Sequence, residues 1–417
     1  MDLPWERPLG TWTEQDLDRF RLRELPVGPS RHLVRFLATD RRTYALKEEP
    51  VDVAAAEFSV LRHLERLGLP AVTAVGLAEA TDRQSTILVT EYLEFSIQYR
   101  RLLMRFPLGP GPYRDRLLDA MAWLLVDLHR AGVFWGDCSL ANTLFRRDGD
   151  KIQAFLVDAE TSEVHPTLSN GQREYDLDIL VENVAFGLAD LGAMQGRADS
   201  ADDAVEAAET VRARYAAVWA ELHLEPELSP HDRHAVRARI RRLNELGFAV
   251  DEIALEPTPG GGGAVRLKVA VANRRFHARE LQRHTGLVAL EGQARLLIND
   301  LNEYRAWLEG REGRSIAEPE AAERWLHDVI EPSLRALVPA IGPSRDPLQA
   351  YCDLLEEKWI LSEIAGKDVG LGMAMDAYLK LGAPAPEAEP PTAEASMALD
   401  IDWTTGWDAE TTGPAEA

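Results

Sequence analysis

The sequence is short of cysteine, of basic charge and of long apolar runs. Cys138 and Cys352 are the only cysteines among 417 residues, so no disulfide framework is implied and a reducing compartment is expected. The N-terminus has neither the basic nor the apolar region of a signal peptide, and no uncharged apolar run approaches about 18 residues, so the sequence predicts no transmembrane segment. These absences predict a cytoplasmic protein.

Basic residues number 46 against 69 acidic ones, which gives a formal net charge of −23. Because the summed field of such a chain repels phosphate backbones, non-specific coating of nucleic acid is excluded unless basic residues cluster locally. Apolar residues, in contrast, are plentiful. They make up 46% of the chain, enough to build cores in roughly two to three domains.

The pattern along the chain divides it into five parts. After an N-terminal extension over 1–24, short alternating runs around one helical segment predict a strand-rich lobe over 25–93, and denser apolar runs predict a helical lobe over 94–195. Residues 196–381 predict helices around a β-hairpin. Residues 382–417 contain five prolines, eight acidic residues and no Lys or Arg, which predicts a disordered acidic tail. The fold class predicted is therefore α+β.

Two predicted helices lie on either side of the segment that contains the candidate site residues of the helical lobe. In the first, Phe58, Leu61, Leu64 and Leu67 recur at three-residue spacing, and Gly68 with Pro70 ends the helix. The second is predicted to begin at about Asp176.

Five polar residues stand in one order through the first half of the chain: Lys47 on a strand, Glu57 on the next helix, Asp137 and Asn142 in a loop, and Asp158 at a strand end. Phosphoryl transfer needs such a set, because its transition state is stabilised mainly by positioning and by charge neutralisation. Singly, each residue is more often a solvated charge, a turn residue or a cap. Their joint order, with apolar runs around each element, favours a phosphotransferase site.

The chemistry assigns a role to each of these residues. Lys47, held by Glu57, would neutralise the phosphates of a nucleotide. Asn142 and Asp158 offer the oxygen ligands that Mg²⁺ prefers, and Asp137 would accept the proton of the attacking hydroxyl or orient it.

The segments "LLVDLHRAGVFWGDCSLANTLF" and "LVDAET", followed by "EYDLDIL", carry a resemblance to a known family. Over residues 25–195 the chain resembles the protein-kinase-like superfamily, in its branch of aminoglycoside phosphotransferases and lipopolysaccharide-core (Kdo-type) kinases. The resemblance implies a two-lobed fold, with a small antiparallel sheet lobe and a helical lobe, and the use of ATP and Mg²⁺. It also implies that Asp176 braces the catalytic loop.

Two features favour a kinase of small molecules, sugars or glycolipids over a regulated protein kinase. Asp176 follows Asp158 by eighteen positions, which leaves little room for a phosphorylatable activation loop, and Gly136 stands where most regulated kinases have arginine. The favoured function is phosphoryl transfer from ATP to a hydroxyl acceptor.

Three departures from the family pattern keep an alternative open. Gly28 is the only glycine in the region before Lys47 where a glycine-rich loop is expected, Trp135 replaces the usual histidine, and only nine residues separate Lys47 from Glu57. The alternative is a nucleotide-binding pseudokinase or regulatory scaffold, whose basic second domain binds nucleic acid or a protein partner.

Basic charge is concentrated in one part of the second half. Residues 229–285 contain eleven Lys or Arg and six Asp or Glu, a local charge of +5. A basic helix, a hairpin and a second basic helix resemble a winged-helix layout, so Arg274, Arg275 and Arg279 are candidates for binding an anionic ligand or nucleic acid. Alternatively, this face pairs with the acidic remainder of the chain. The region to about residue 381 resembles an uncharacterised domain that accompanies kinase-like domains in bacteria.

Overall fold

A computed structural model describes nine stretches of the chain: residues 4–13, 22–23, 32–40, 42–79, 85–105, 111–196, 200–229, 232–257 and 265–385. The predicted acidic tail from residue 386 onward, Gly28 and the glycine-rich hairpin tip lie outside these residues. The chain forms two compact units. The first comprises Met1–Arg146 and Ile152–Glu225, and the second comprises Arg147–Lys151 and Pro226–Ala417.

A five-stranded antiparallel sheet dominates the start of the first unit, with strand order β1-β2-β3-β5-β4. Its strands are β1 (Leu22–Arg23), β2 (Leu33–Ala38), β3 (Thr43–Pro50), β4 (Ala74–Glu79) and β5 (Ser85–Glu91). Five further strands follow along the chain: β6 (Ile97–Gln98), β7 (Val133–Phe134), β8 (Thr143–Asp148), β9 (Lys151–Leu156) and β10 (Glu163–Val164). Strands β6, β8 and β9 form one small sheet, and β7 pairs with β10.

Helices supply most of the rest of the first unit. They are α1 (Val51–Leu67), α2 (Tyr99–Arg105), α3 (Pro112–Arg130), α4 (Asn170–Met194) and α5 (Ser200–Leu222). Helix α3 is the most buried of the set by sequence pattern and by structure, since a continuous run from Leu124 to His129 is buried. This arrangement of a sheet lobe followed by a helical lobe confirms the predicted fold class.

The apolar repeat of α1 is buried only in part. Leu61 and Leu64 are buried, but Phe58 is only half-buried and Leu67 is 37% exposed. The face that turns inward instead includes the carboxylate of Glu57, which is fully buried. Glu57 can be buried because it has a partner within the fold. A pattern of apolar residues alone cannot predict a buried helix face that contains such a residue.

Helix α4 begins six residues before the predicted start. Ser169 caps it: its hydroxyl accepts a hydrogen bond from the backbone N–H of Gln172 (3.2 Å), and the Gln172 side chain accepts one from the backbone N–H of Ser169 (3.0 Å). This reciprocal capping box has the recognisable sequence form Ser-x-x-Gln, so the sequence did carry the signal.

The second unit consists of helices around one long hairpin. Its elements are β11 (Glu227–Leu228), α6 (Arg233–Glu245), β12 (Phe248–Pro257), β13 (Val265–Arg274), α7 (Phe276–Thr285), α8 (Glu291–Glu312), α9 (Glu318–Trp325), a π-helical turn (Leu326–Ile330), α10 (Glu331–Ile341), α11 (Pro347–Ala365) and α12 (Gly370–Lys380). The mostly helical second region with a β-hairpin is thus as the sequence predicts. Among the described residues, no helix combines the length and apolar character needed to cross a membrane.

A polar network in the second unit centres on the buried carboxylate of Asp353. Asp353 accepts hydrogen bonds from Arg147 (3.0 Å) and Gln349 (2.9 Å) on one oxygen and from Arg345 (3.0 Å) on the other. The carboxylate is thus bonded on both oxygens and faces two guanidinium groups.

Candidate active site

The ammonium group of Lys47 lies among three carboxylates. Its Nζ atom is 3.0 Å from Glu57 Oε2, 3.0 Å from Asp158 Oδ1 and 2.6 Å from Glu49 Oε1. The structure therefore brings together the lysine, the helix glutamate and the strand-end aspartate that the sequence placed far apart. Glu49 is an additional member that the sequence analysis did not include.

The short spacing between Lys47 and Glu57 is accommodated by a direct junction of strand and helix. Strand β3 ends at Pro50 and α1 begins at Val51, with no loop between them. Glu57 then reaches Lys47 with one oxygen and accepts a hydrogen bond from the backbone N–H of Ala159 (3.1 Å) with the other. The carboxylate thereby ties the strand lysine to the segment that carries Asp158.

Electrostatics in this cluster are dominated by burial and by the excess of carboxylates. Burial raises the pKa of Glu57 to about 8 against the opposing effect of Lys47, and Asp158 and Glu49 raise it further. Burial acts to lower the pKa of Lys47, but the carboxylates of Glu57, Asp158 and Glu49 outweigh it and hold that pKa above its ordinary value. Lys47 therefore stays charged.

Asp137 and Asn142 are held against each other in the loop that follows β7. The Asn142 Nδ2 atom donates to both the backbone oxygen and Oδ2 of Asp137, each at 3.0 Å. Since the amide nitrogen is engaged, the carboxamide oxygen is the atom of Asn142 that can bind a cation. Ser139 stabilises the turn by accepting from the backbone N–H of Asn142 (3.2 Å).

Asp176, on α4, holds the start of this loop. Its carboxylate accepts hydrogen bonds from the backbone N–H groups of Trp135 (2.7 Å) and Gly136 (2.8 Å). His129 lies 3.1 Å from the same carboxylate and 2.8 Å from the Tyr215 hydroxyl. Burial lowers the pKa of His129, so the imidazole is neutral and donates to Asp176 while it accepts from Tyr215.

The loop geometry accounts for Trp135 and Gly136 at the start of this loop. Trp135 contacts Asp176 through its backbone, and its backbone oxygen accepts from Thr161 (2.9 Å), so the histidine side chain of the usual motif is not needed for this bracing. Gly136 has φ +81°, and a Cβ atom there would lie 2.7 Å from the Thr161 carbonyl oxygen. Glycine is therefore required where regulated kinases have arginine.

Two cavities meet at Asn142 and Asp158, which line both. The first, of about 190 Å³, has apolar walls from Val34, Ala45 and other side chains and contains Lys47. The second, of about 290 Å³, is more polar and contains Asp137. Lys47, which is suited to bind phosphate, and Asp137, the predicted base, thus line neighbouring cavities.

Four residues of the site lay outside the sequence analysis: Glu49, His32, Glu160 and Tyr215. His129, in contrast, belongs to the segment "LLVDLHRAGVFWGDCSLANTLF" that carries the family resemblance. Glu49 lies two residues after Lys47 on β3, and the alternation of a strand places both side chains on one face. His32, Glu160 and Tyr215 depend on contacts between segments that are distant in the sequence.

The three candidate anion-binding arginines of the second unit do not share one environment. Arg274 ends β13, is partly buried and acts electrostatically on buried Asp148. Arg275, the N-cap residue of α7, and Arg279, one turn later, are exposed. The N-terminus of α7 already has a carboxylate, because Glu291 accepts from the backbone N–H groups of His277 (2.9 Å) and Ala278 (3.0 Å).

The sheet lobe with its paired lysine and glutamate, and the helical lobe with its braced loop, define a protein-kinase-like site. Comparison with family profiles agrees with this class. Residues 39–195 match the lipopolysaccharide kinase (Kdo/WaaP) family, and residues 217–381 match a domain of unknown function, DUF4032. These matches confirm both resemblances inferred from the sequence.

One curated relative is the lipopolysaccharide core heptose(I) kinase WaaP of Pseudomonas aeruginosa. It is 28% identical over 152 residues, which cover 34% of this chain and 55% of the relative. The chain thus spans about half the length of this relative. A solved structure of WaaP in complex with acyl carrier protein is 21% identical, covers 52% of this chain and 98% of that one, and has a TM-score of 0.32.

Proposed function

We propose that the first unit catalyses the Mg²⁺-dependent transfer of the γ-phosphoryl group of ATP to a hydroxyl of a sugar or glycolipid. The observation that carries the proposal is the contact of Lys47 with Glu57 and Asp158, each at 3.0 Å, beside a loop that presents Asp137 and Asn142. This set supplies the positioning and the charge that phosphoryl transfer requires.

Lys47 would bind the phosphates of the nucleotide. Its charge is secured by the surrounding carboxylates, and Glu57 fixes its position because a second hydrogen bond, from Ala159, orients that carboxylate. The apolar cavity beside Lys47, with Val34 and Ala45 in its walls, suits the adenine ring.

Asn142 and Asp158 fit a magnesium ion, since both line the junction of the two cavities and both offer oxygen ligands. When bound, Mg²⁺ would neutralise charge on the phosphate oxygens. Glu160 contributes to the geometry, because its backbone N–H donates to Asp158 Oδ1 (3.2 Å) and restricts that carboxylate.

Asp137 would accept the proton of the acceptor hydroxyl. As that O–H bond breaks, the hydroxyl oxygen forms the new bond to the γ-phosphorus, the bond from that phosphorus to its bridging oxygen breaks, and ADP leaves. Asn142 orients the Asp137 carboxylate through Oδ2, and Asp176 holds the backbone that precedes it.

The class of acceptor is supported by the polar second cavity and by the family match. Ser139, Asn183 and Tyr99 line this cavity near Asp137 and provide the hydrogen-bonding groups that a sugar needs. The family matched by residues 39–195 is one of lipopolysaccharide kinases, and the curated relative is named for a heptose acceptor.

The experiment follows label from γ-labelled ATP, in Mg²⁺, into a heptose-containing core oligosaccharide and into a cell extract. Asp137→Asn should lower the rate about 10²- to 10⁴-fold, the range for loss of a general base. Asp158→Ala should abolish Mg²⁺-dependent turnover. Asp178→Asn is the matched control, because Asp178 is exposed on α4 and pairs with Arg212 instead of the loop.

A pseudokinase scaffold gives the opposite pattern. The wild-type protein would bind nucleotide, seen as a thermal shift, yet label would enter no acceptor and Asp137→Asn would match wild type. That result would refute catalysis while leaving nucleotide binding in place.

A further inference from the structure

Three side chains from separate segments converge beside the Lys47 cluster. His32 immediately precedes β2, Glu49 lies near the end of β3, and Glu160 follows Asp158 by two residues. His32 Nε2 is 2.8 Å from Glu160 Oε2 and 3.9 Å from Glu49 Oε1. One donor atom from each side chain lies within 4.8 Å of the other two. Ligands around a tetrahedral ion are about 3.3 Å apart, so these side chains would draw together by small movements on binding.

The carboxylate of Glu49 is the informative member of this group. The residue is 1% exposed, and its Oε2 atom has no hydrogen-bond partner among the described residues. Its Oε1 atom contacts Lys47 at 2.6 Å, on the side shared with His32. Because leaving a buried carboxylate oxygen without a partner is costly, this oxygen indicates a ligand that is a cation or a strong donor.

The balance of charge indicates a cation. Beside the Glu57 carboxyl group, Glu49, Asp158 and Glu160 bring three carboxylates to the neighbourhood of Lys47, which contacts Glu49 and Asp158. His32 and Glu160 are themselves largely buried, with side chains 19% and 16% exposed. A buried excess of negative charge is relieved by binding a divalent ion.

We propose that His32, Glu49 and Glu160 bind a divalent transition-metal ion of the zinc class, at a site separate from Asn142 and Asp158. The imidazole nitrogen selects for this class, since Mg²⁺ prefers an all-oxygen set whereas Zn²⁺ takes mixed nitrogen and oxygen ligands. The Glu49 carboxylate would bind the ion while it keeps its contact with Lys47.

The ion would join the start of β2, the end of β3 and the segment after Asp158. His32 and Glu160 also line the polar cavity that contains Asp137. The site therefore lies at the wall of the space in which the proposed reaction occurs, although metal binding there does not depend on that reaction.

The purified full chain is stripped of metal, loaded with Zn²⁺ and dialysed against excess Mg²⁺, and the Zn²⁺ that it retains is measured, with Co²⁺ absorption as a second probe. The wild-type chain should retain one Zn²⁺. His32→Ala and Glu160→Gln should each weaken Zn²⁺ binding by about tenfold or more and remove the Co²⁺ absorption band. Asp158→Asn should keep both.

His165→Ala is the matched control, because His165 forms a comparable pair with Glu163 at 3.1 Å on the surface of the same unit. Metal-free unfolding midpoints verify that every variant folds. The proposal is overturned if the wild type retains no Zn²⁺, if His32→Ala and Glu160→Gln both bind it with unchanged affinity, or if Asp158→Asn loses the ion while His32→Ala keeps it.

Discussion

The two units bury carboxylates in opposite ways. In the second unit, Asp353 has both oxygens bonded and faces two guanidinium groups, from Arg147 and Arg345. In the first unit, the ammonium group of Lys47 is shared by Glu49, Glu57 and Asp158, and Lys47 lines a cavity. A network balanced within the protein stabilises its unit, whereas a network short of positive charge is suited to binding ions and nucleotide.

The largest effect should come from breaking the balanced network. Asp353→Ala leaves Arg147 and Arg345 without their shared carboxylate, so the free energy of unfolding should fall by about 3–5 kcal/mol, measured by denaturant titration. Asp376→Ala, an exposed change on α12, should alter it by less than about 0.5 kcal/mol. Equal effects of the two changes would show that the Asp353 network contributes little.

The unbalanced network should make stability depend on pH. The folded-state pKa of Glu57 is raised to about 8, whereas its ordinary pKa is 4.5. Between these two pH values the folded protein keeps a proton that the unfolded chain releases. The contribution of Glu57 to stability is therefore complete below about pH 4.5 and is lost as the pH rises toward 8. Unfolding free energies measured from pH 5 to 8 should decline with pH in the wild type, and Glu57→Gln should flatten the decline.

Glu65→Gln is the control for that measurement, since Glu65 is exposed on the same helix and pairs with Arg62. It should leave the pH dependence as in the wild type. A wild-type slope that Glu57→Gln does not change would assign the pH dependence to another group.

The sequence could reveal the residues whose positions follow from local patterns. Lys47, Glu57, Asp137, Asn142 and Asp158 were found because their order follows successive strands and helices, which local patterns predict. Their catalytic roles stay predictions. The start of α4 had a signal in Ser169 and Gln172 that was not used.

Other contacts depend on the fold itself. Glu49 is one of two adjacent glutamates on β3, and the alternation of the strand puts it, and not Glu48, on the face of Lys47, but its burial is seen only in the fold. His32 and Glu160 are 128 positions apart, so no local pattern could pair them. The paired arginines of Asp353 likewise come from segments about two hundred residues apart in the sequence.

The smallest effect should be a gain in stability from Glu49→Gln. The amide keeps the shape of the side chain but removes one negative charge from a cluster in which Lys47 still contacts Glu57 and Asp158. In metal-free protein the free energy of unfolding should therefore rise by about 1 kcal/mol, because a neutral amide costs less to bury than a partly unpaired carboxylate. Thermal or denaturant unfolding measures the change, with Glu79→Gln on exposed β4 as the control. A loss of stability would instead mean that the attraction between Lys47 and Glu49 outweighs the cost of burying the charge, and the cluster would then be balanced like that of Asp353.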